Sequence, residues 1–178
     1  MVIPRADSFN DWAQEQGWPA LCDPDLDFES PALRDILAIW YEQAGANAFP
    51  HRNKMTARVL KAHLGNICIL ERVIAEPPLW RVRLLGTRLA QVLGEMQGKH
   101  LHEVIAADVV PHWHARLDVT LAEGRPMRFV SRVDMKHLYF LRSESFWAPL
   151  GNESGQPDSE RSFNPTLLIA GRDVQDAW

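Results

Sequence analysis

The stretch WRVRLLGTRLAQVLGEM, residues 80–96, changes its hydrophobic period at its centre. In its first half apolar and charged residues alternate, with Trp80, Val82 and Leu84 on the same side, which is the period of a half-buried strand. After Gly86 the apolar positions follow a helical period instead. A strand that ends at a glycine and runs straight into a helix can send that helix back across its own sheet. The stretch therefore favours a sheet with helices packed on one face.

The order of the other elements narrows the fold class. A helix is predicted after Ser30 as its N-cap, and a second helical segment ends at Gly65. Two strands that form a hairpin follow at 66–74 and 79–86, then a short helix, a longer helix that ends at Gly124, and three more strands. This order predicts an α+β fold: a five-stranded antiparallel sheet with short helices crossing one face, plus an N-terminal helical arm.

Size, charge and cysteine content limit the class of protein. The 178 residues, of which 46% are hydrophobic, suffice for one ordinary core, and we expect an arm at 1–29 and a single domain at 30–178. A formal charge of -4 and a pI of about 6.0 offer no basic footprint for nucleic acid. No apolar run approaches the roughly 20 residues of a membrane helix. Cys22 and Cys68 suit a reducing compartment, so we expect a cytoplasmic protein. Because of the charge and the short apolar runs, we expect neither nucleic acid nor a membrane as partner.

A set of inward-facing residues follows from strand alternation and helical phase. The apolar members that would line a ligand pocket are Trp80, Val82, Leu84, Leu89, Leu93, Trp113, Leu117, Met127, Phe129 and Val133. Ser143 and Ser145 join them if their strand turns its hydroxyls inward. Such stripes more often fill a core than line a cavity. Arg81 and Arg83 fall on the opposite side and predict a solvated sheet face, with an interaction surface as the alternative.

The histidines are candidate metal ligands, because His100, His102, His112 and His114 lie close together along the chain. On a helix, His112 and His114 are about 200° apart and cannot share an ion. His100 and His102 have no third ligand at a suitable spacing. The sequence therefore predicts no metal site.

Several turns and strand ends resemble those of the PAS domain family. VRLLGTRLAQVLGEMQGKHLHEVI, residues 82–105, is similar to the family's strand end, Gly-Thr turn and glycine-spaced short helices, and GRPMRF, FWAPLG and LLIAGRDV are similar to its later strands. More narrowly, the chain resembles a compact PAS family found in stand-alone proteins of alphaproteobacteria, over about residues 30–174. The resemblance implies a PAS fold and a role in signal transduction.

The resemblance also implies a function. We expect a small sensor or adaptor that regulates a signalling partner through ligand binding or protein–protein contacts, with no catalytic output of its own. Since the residues outside the PAS module are too few for an output enzyme, we expect a homodimer through the N-terminal helices, an unidentified signalling partner and a small apolar ligand. The cofactor stays open.

Three alternatives accompany this expectation. Some PAS sensors hold haem through a histidine on the long helix, where His112 and His114 lie, although such a ligand needs an apolar slot. A different class is a cone-shaped α+β enzyme that acts on a small apolar substrate with His112 or His114 as general base. The third is a ligand-free scaffold, which a completely closed aromatic interior would favour.

Overall fold

The protein is described by a computed structural model over residues 5–73, 79–132, 141–151, 166–171 and 175–176. Within these residues the helices are α1 (Ala6–Glu15), α2 (Pro31–Ala44), α3 (Thr87–Leu93), α4 (Leu101–Val104) and α5 (Val110–Glu123). The strands there are β1 (Ala20–Asp23), β2 (Ile67–Val73), β3 (Leu79–Leu85), β4 (Met127–Arg132), β5 (Leu141–Leu150), β6 (Thr166–Gly171) and β7 (Gln175–Asp176). The helical segment predicted to end at Gly65 is wrong, because turns and two short 3₁₀ helices occupy residues 52–66.

The strands of the described residues form one antiparallel sheet in the order β1-β4-β5-β6-β2-β3, with β7 beside β5. The predicted α+β class and the antiparallel pairing are confirmed, and β2 to β6 lie at the five predicted strands. The predicted number of five strands is wrong, because β1 from the arm pairs with β4 and β7 pairs with the start of β5. An open sheet edge offers unpaired backbone groups, and a short segment of the arm uses them.

The sheet is covered on both faces, which corrects the prediction of helices on one face only. We call the face that carries Val82 and Phe129 the inner face; α1, α3, α4 and α5 contribute to the apolar cluster on it. The outer face carries Ile69 and Phe146, and α2 contributes to its cluster. The reason is visible in β2, where the consecutive residues 67–70 are all buried. A strand that is apolar on both sides needs cover on both sides.

Helix α2 covers the outer face with one apolar side. It begins after Ser30, the predicted N-cap, and buries Leu33, Ile36 and Trp40. The Trp40 indole Nε1 donates a 3.0 Å hydrogen bond to the backbone oxygen of Pro149. This bond fixes α2 against β5 and gives a buried polar group its partner.

A buried ion-pair network fixes the segment between the arm and α2. Glu144 on β5 accepts hydrogen bonds from the backbone amides of Glu29 and Ser30, both at 2.9 Å. The same carboxylate accepts a 2.6 Å bond from Nε of Arg128, whose Nη1 lies 3.0 Å from Asp23 at the end of β1. Glu144 and Arg128 are both buried. Paired and hydrogen-bonded in this way, the buried charges hold the arm and α2 in one register.

Gly86 explains the change of period between β3 and α3. Its φ of -68° is one that any residue adopts, so backbone conformation does not require glycine there. Close approach does: a Cβ at Gly86 would lie 2.1 Å from the backbone oxygen of Leu64 and 2.5 Å from that of Gly65. The Gly86 amide also donates a 2.7 Å bond to Ile67. The turn therefore passes directly against the chain that enters β2.

Candidate functional site

Most of the predicted pocket residues meet on the inner face. The buried ones are Trp80, Val82, Trp113, Leu117, Met127 and Phe129, and Leu89 and Leu93 are partly buried against them. Val133 lies outside the described residues. Residues in such mutual contact form a packed core, and their role as the lining of a ligand pocket stays a prediction.

Leu84 lies on the other face, contrary to the alternation expected from the sequence. In the β2–β3 ladder Ile69 pairs with Leu84 but Leu70 pairs with Val82, so Arg83 is an extra residue on β3. A β-bulge of this kind reverses the facing of the residues beyond it. Leu84 consequently packs against the outer cluster, while Val82 remains in the inner one.

A row of aromatic rings runs across the inner face and ends in the arm. Trp113 on α5 lies 5.7 Å from Trp147 on β5, measured between ring centroids, and Trp147 lies 5.9 Å from Phe129. Phe129 lies 5.2 Å from Phe9 of α1, which lies 5.6 Å from Trp18. All four pairs are inclined at 65–72°, the edge-to-face arrangement that aromatic rings favour. The arm thus completes the aromatic packing of the inner face.

Arg116 places a positive charge inside this aromatic cluster. The residue is 5% exposed, and its Nη2 donates a 2.8 Å hydrogen bond to the Ser131 hydroxyl. Its guanidinium carbon lies 4.5 Å from the ring centroid of Trp18 and 5.7 Å from that of Trp147. A buried guanidinium between indole faces gains cation–π stabilisation that partly offsets its desolvation.

The serine candidates extend this polar group along β5. The Ser131 and Ser143 hydroxyls lie 3.3 Å apart, and the Ser145 hydroxyl donates to the Phe129 backbone oxygen at 3.3 Å. Ser145 also accepts a 2.9 Å bond from the indole Nε1 of Trp147. Both predicted serines therefore lie on the inner face, where they satisfy neighbouring polar groups.

The two histidines of α5 make different contacts. The His112 ring stacks on Trp18 at 4.2 Å with an interplanar angle of 7°, which ties α5 to the arm. His114 is half-buried one helical turn before Asp118. Burial lowers the pKa of His114 against the opposing charge of Asp118, and burial raises the pKa of Asp118. Neutral His114 beside a carboxyl group is the pair that the enzyme alternative requires.

The outer face of the β2–β3 hairpin carries a second candidate site, which we call the arginine cleft. It is an open cleft of about 500 Å³ lined by Ile69, Glu71, Arg81, Val82, Arg83, Leu84, Gln97 and Gly98. None of the histidine candidates lines it. Its position at the β3 edge follows from the bulge, which turns both Arg83 and Leu84 toward the outer face.

Glu71 organises the charges of this cleft. Its side chain is 8% exposed, and it accepts hydrogen bonds from Arg81 Nε at 2.7 Å, from Arg81 Nη2, and from Arg83 Nη1 at 3.1 Å. Burial alone would raise the pKa of Glu71, but the hydrogen bonds and charges of both arginines outweigh burial and lower it. Burial, followed by the charge of Arg83, lowers the pKa of nearby Arg52, against the opposing charge of Glu71.

Sequence reasoning missed three residues of the candidate sites, two of which carried a signal. Arg116 follows Trp113 by three residues, so helical phase places it on the same buried side of α5. The predicted inward-facing set took only apolar residues from this helix and therefore left Arg116 out. Glu71 interrupts an otherwise apolar buried strand, and hairpin pairing sets it opposite Arg81. Trp18 gave no usable signal, because its position depends on how the arm folds back.

The described part of the chain offers neither a group of metal ligands nor a membrane-spanning helix. No group of three or more His, Cys, Asp or Glu side chains in this part of the chain could hold a metal ion. Among the described helices, none is long and apolar enough to cross a membrane.

Comparison with protein-family models gives a match. A family model described as a PAS domain matches residues 28–161, which is more than half of the chain. The matched residues include α2 to β5, whereas α1 and β1 precede them. No curated protein matches the chain.

Proposed function

Since the chain belongs to the PAS domain family, whose role in general is sensory or signalling, we propose that it is a small sensor or adaptor that regulates a signalling partner. In this proposal the protein has no catalytic output of its own. The observation that carries it is the docking of the N-terminal arm on the inner face, the side on which the predicted pocket residues lie.

The arm is held on the inner face by side-chain contacts that a signal could change. Its Trp18 contacts both Arg116 and His112 of α5, and its Phe9 packs on Phe129 of β4. The Ala6 amide also donates a 3.2 Å bond to a carboxylate at the end of α5. Any event that moves Arg116 or the aromatic rings must therefore move the arm as well. We propose that the arm is the element that reports the state of the domain to a partner.

Native mass spectrometry of the purified full chain, with an absorption spectrum, separates the two modes of action. An added mass that is lost on denaturation supports sensing through a small apolar ligand, and a Soret band would identify haem held by His112 or His114. A chain that carries no added mass supports an adaptor that works through protein contacts.

Site-specific photo-crosslinking in cells of the source organism tests regulation of a partner through the arm. A photoreactive residue replaces Asp11, which is exposed on α1, and the matched control replaces Glu95, which is exposed after α3. We expect a signalling protein to be crosslinked from position 11 and not from position 95. Equal crosslinking from both positions, or from position 95 alone, would contradict a role for the arm.

We further propose a homodimer formed through the N-terminal helices, with Tyr41 of α2 as its apolar contact. Tyr41 is 53% exposed although its neighbour Trp40 is buried, and Leu21 of β1 is the other large apolar side chain exposed in the described residues, at 46%. Light scattering coupled to size exclusion should show a dimer that Tyr41→Asp dissociates and Leu21→Asp leaves intact. The reverse pattern would assign the interface to the edge strand β1.

The enzyme alternative needs His112 or His114 as general base, and His114 is the one that lies one helical turn before a carboxyl group, that of Asp118. Neither residue lines the arginine cleft, so we give this alternative second place. Loss of a measurable hydrolytic or isomerising activity in His114→Gln, with the fold retained, would promote it.

The buried free thiols Cys22 and Cys68 support a location in the reducing cytoplasm.

A further inference from the structure

The arginine cleft holds more positive than negative charge. Arg81 and Arg83 share the single carboxylate of Glu71, and Arg52 lies near enough for the charge of Arg83 to lower its pKa. Two guanidinium groups thus share one carboxylate, and the charge of Arg52 lies nearby. Because arginine stays protonated, the surplus cannot be relieved by titration near neutral pH. An anion in the cleft would relieve it.

The donors of the cleft are already oriented. Glu71 fixes one edge of each guanidinium group, while the side chains of Arg81 and Arg83 remain 45% exposed. A guanidinium has five N–H donors in a rigid fork, so donors that Glu71 does not use face the cleft. The Gln97 amide oxygen accepts a 3.3 Å bond from the Leu85 backbone, which leaves its NH₂ group as a further donor. Pre-oriented donors lower the entropy cost of binding.

The floor of the cleft is apolar, and its size suits a small molecule. Ile69 and Leu84 lie side by side on the outer face, paired across the β2–β3 ladder. The volume of about 500 Å³ falls within the range typical of small-molecule sites. An apolar floor beneath a rim of donors matches a ligand that has an apolar body and an oxyanion at one end.

We propose that the arginine cleft binds a small organic oxyanion, with its carboxylate or phosphate held by Arg81, Arg83 and Gln97 and its apolar part on Ile69 and Leu84. This site opens on the outer face, where Val82 is the inner-cluster residue that borders it, and none of the described residues of the arm lines it. Its failure would therefore leave the proposed function intact, and the reverse also holds. The arginine fork accepts carboxylate and phosphate alike, so the probes must separate the two.

Titration of the full-length chain with three matched probes, followed by amide NMR, tests the site. The probes are 1-naphthoate, 1-naphthyl phosphate and the neutral 1-naphthamide. We expect one or both anions to bind with shifts centred on Val82, Gln97 and Gly98, and to bind at least about tenfold more tightly than the amide. A preference for one anion identifies the oxyanion.

Two variants and one control assign the binding to these residues. Arg83→Gln removes one of the two cations bonded to Glu71 and should weaken anion binding about tenfold. Arg52→Gln removes a charge without breaking a hydrogen bond to Glu71, so it keeps the test valid if Arg83→Gln unfolds; we expect a weakening of about threefold to tenfold. The control is Arg132→Gln, an exposed site four strands away in the sheet, which should bind like the wild type.

Three outcomes would overturn the proposal. One is equal binding of the naphthamide and the anions, and another is equal weakening by Arg132→Gln and Arg83→Gln. The third is binding of a hexaglutamate peptide together with no binding of either naphthyl anion, which would make the cleft a docking surface for an acidic protein segment instead.

Discussion

Replacing Gly86 by alanine should destabilise the protein more than its small change in volume suggests. The added Cβ would lie 2.1 Å from the Leu64 carbonyl oxygen, whereas real Cβ contacts essentially never fall below 3.0 Å. The obstacle is backbone on both sides, so the β3–α3 turn must move by about an ångström. That movement breaks the 2.7 Å bond from the Gly86 amide to Ile67. Overpacking of about 1–3 kcal/mol and a lost buried bond of about 1 kcal/mol add to about 3 kcal/mol.

Gly65→Ala is the matched control because Gly65 lies against Gly86. Its Cβ would lie 3.2 Å from Cγ of Arg88, a flexible side chain that can move away, and we expect a cost below about 1 kcal/mol. Urea unfolding and thermal unfolding, each followed by tryptophan fluorescence and far-UV circular dichroism, measure both variants. We expect the melting temperature of Gly86→Ala to fall by about 10 °C. Free energies of unfolding that agree within error for the two variants would refute the close-approach argument.

Three further predictions concern the arm, the segment between the arm and α2, and the stability of the fold in acid. Phe9→Ala, which empties a fully buried site, should cost about 3–4 kcal/mol and increase deuterium exchange in α1; unchanged exchange would contradict the docked arm. Glu144→Gln weakens a buried ion pair and should cost about 3 kcal/mol in urea unfolding, with no loss at all counting against that pair's role. The folded pKa of Glu71 is lowered, so its contribution is complete above the ordinary glutamate pKa and is lost as the pH falls through the folded value; Glu71→Gln should therefore flatten the acid limb of a pH–stability curve.

The predictable part of the fold was what local sequence determines. Pro31 after Ser30 gave the start of α2, Gly124 gave the end of α5, and the five predicted strands occur where expected. The strand β1 was not predicted, because its short segment is extended only through pairing with β4. No local period distinguishes such a segment from a loop.

The bulge in β3 limited the prediction of the site. Strict alternation places Trp80, Val82 and Leu84 on one face, and a single extra residue at Arg83 sends Leu84 to the other. Sequence alone does not reveal that residue, since the position of a bulge depends on the register with the partner strand. The same shift brings Arg83 and Leu84 to the outer face together. The β-bulge that makes the alternation rule fail at Leu84 therefore also forms the arginine cleft.

Next to the bulge, Val82 borders both faces of the sheet. Val82 belongs to the inner cluster and borders the arginine cleft, and its backbone is bonded to Gly98 and Lys99 at 2.7 and 2.9 Å. A ligand that draws Arg81 and Arg83 together must act on the strand segment that carries Val82. Because packed cores have few voids, that segment cannot move without a response from its inner-face neighbours. An oxyanion in the cleft would thus act through a single strand on the aromatic rings that hold the arm, and Arg83→Gln should shift any effect of the naphthyl anions on deuterium exchange in α1 to about tenfold higher anion concentration.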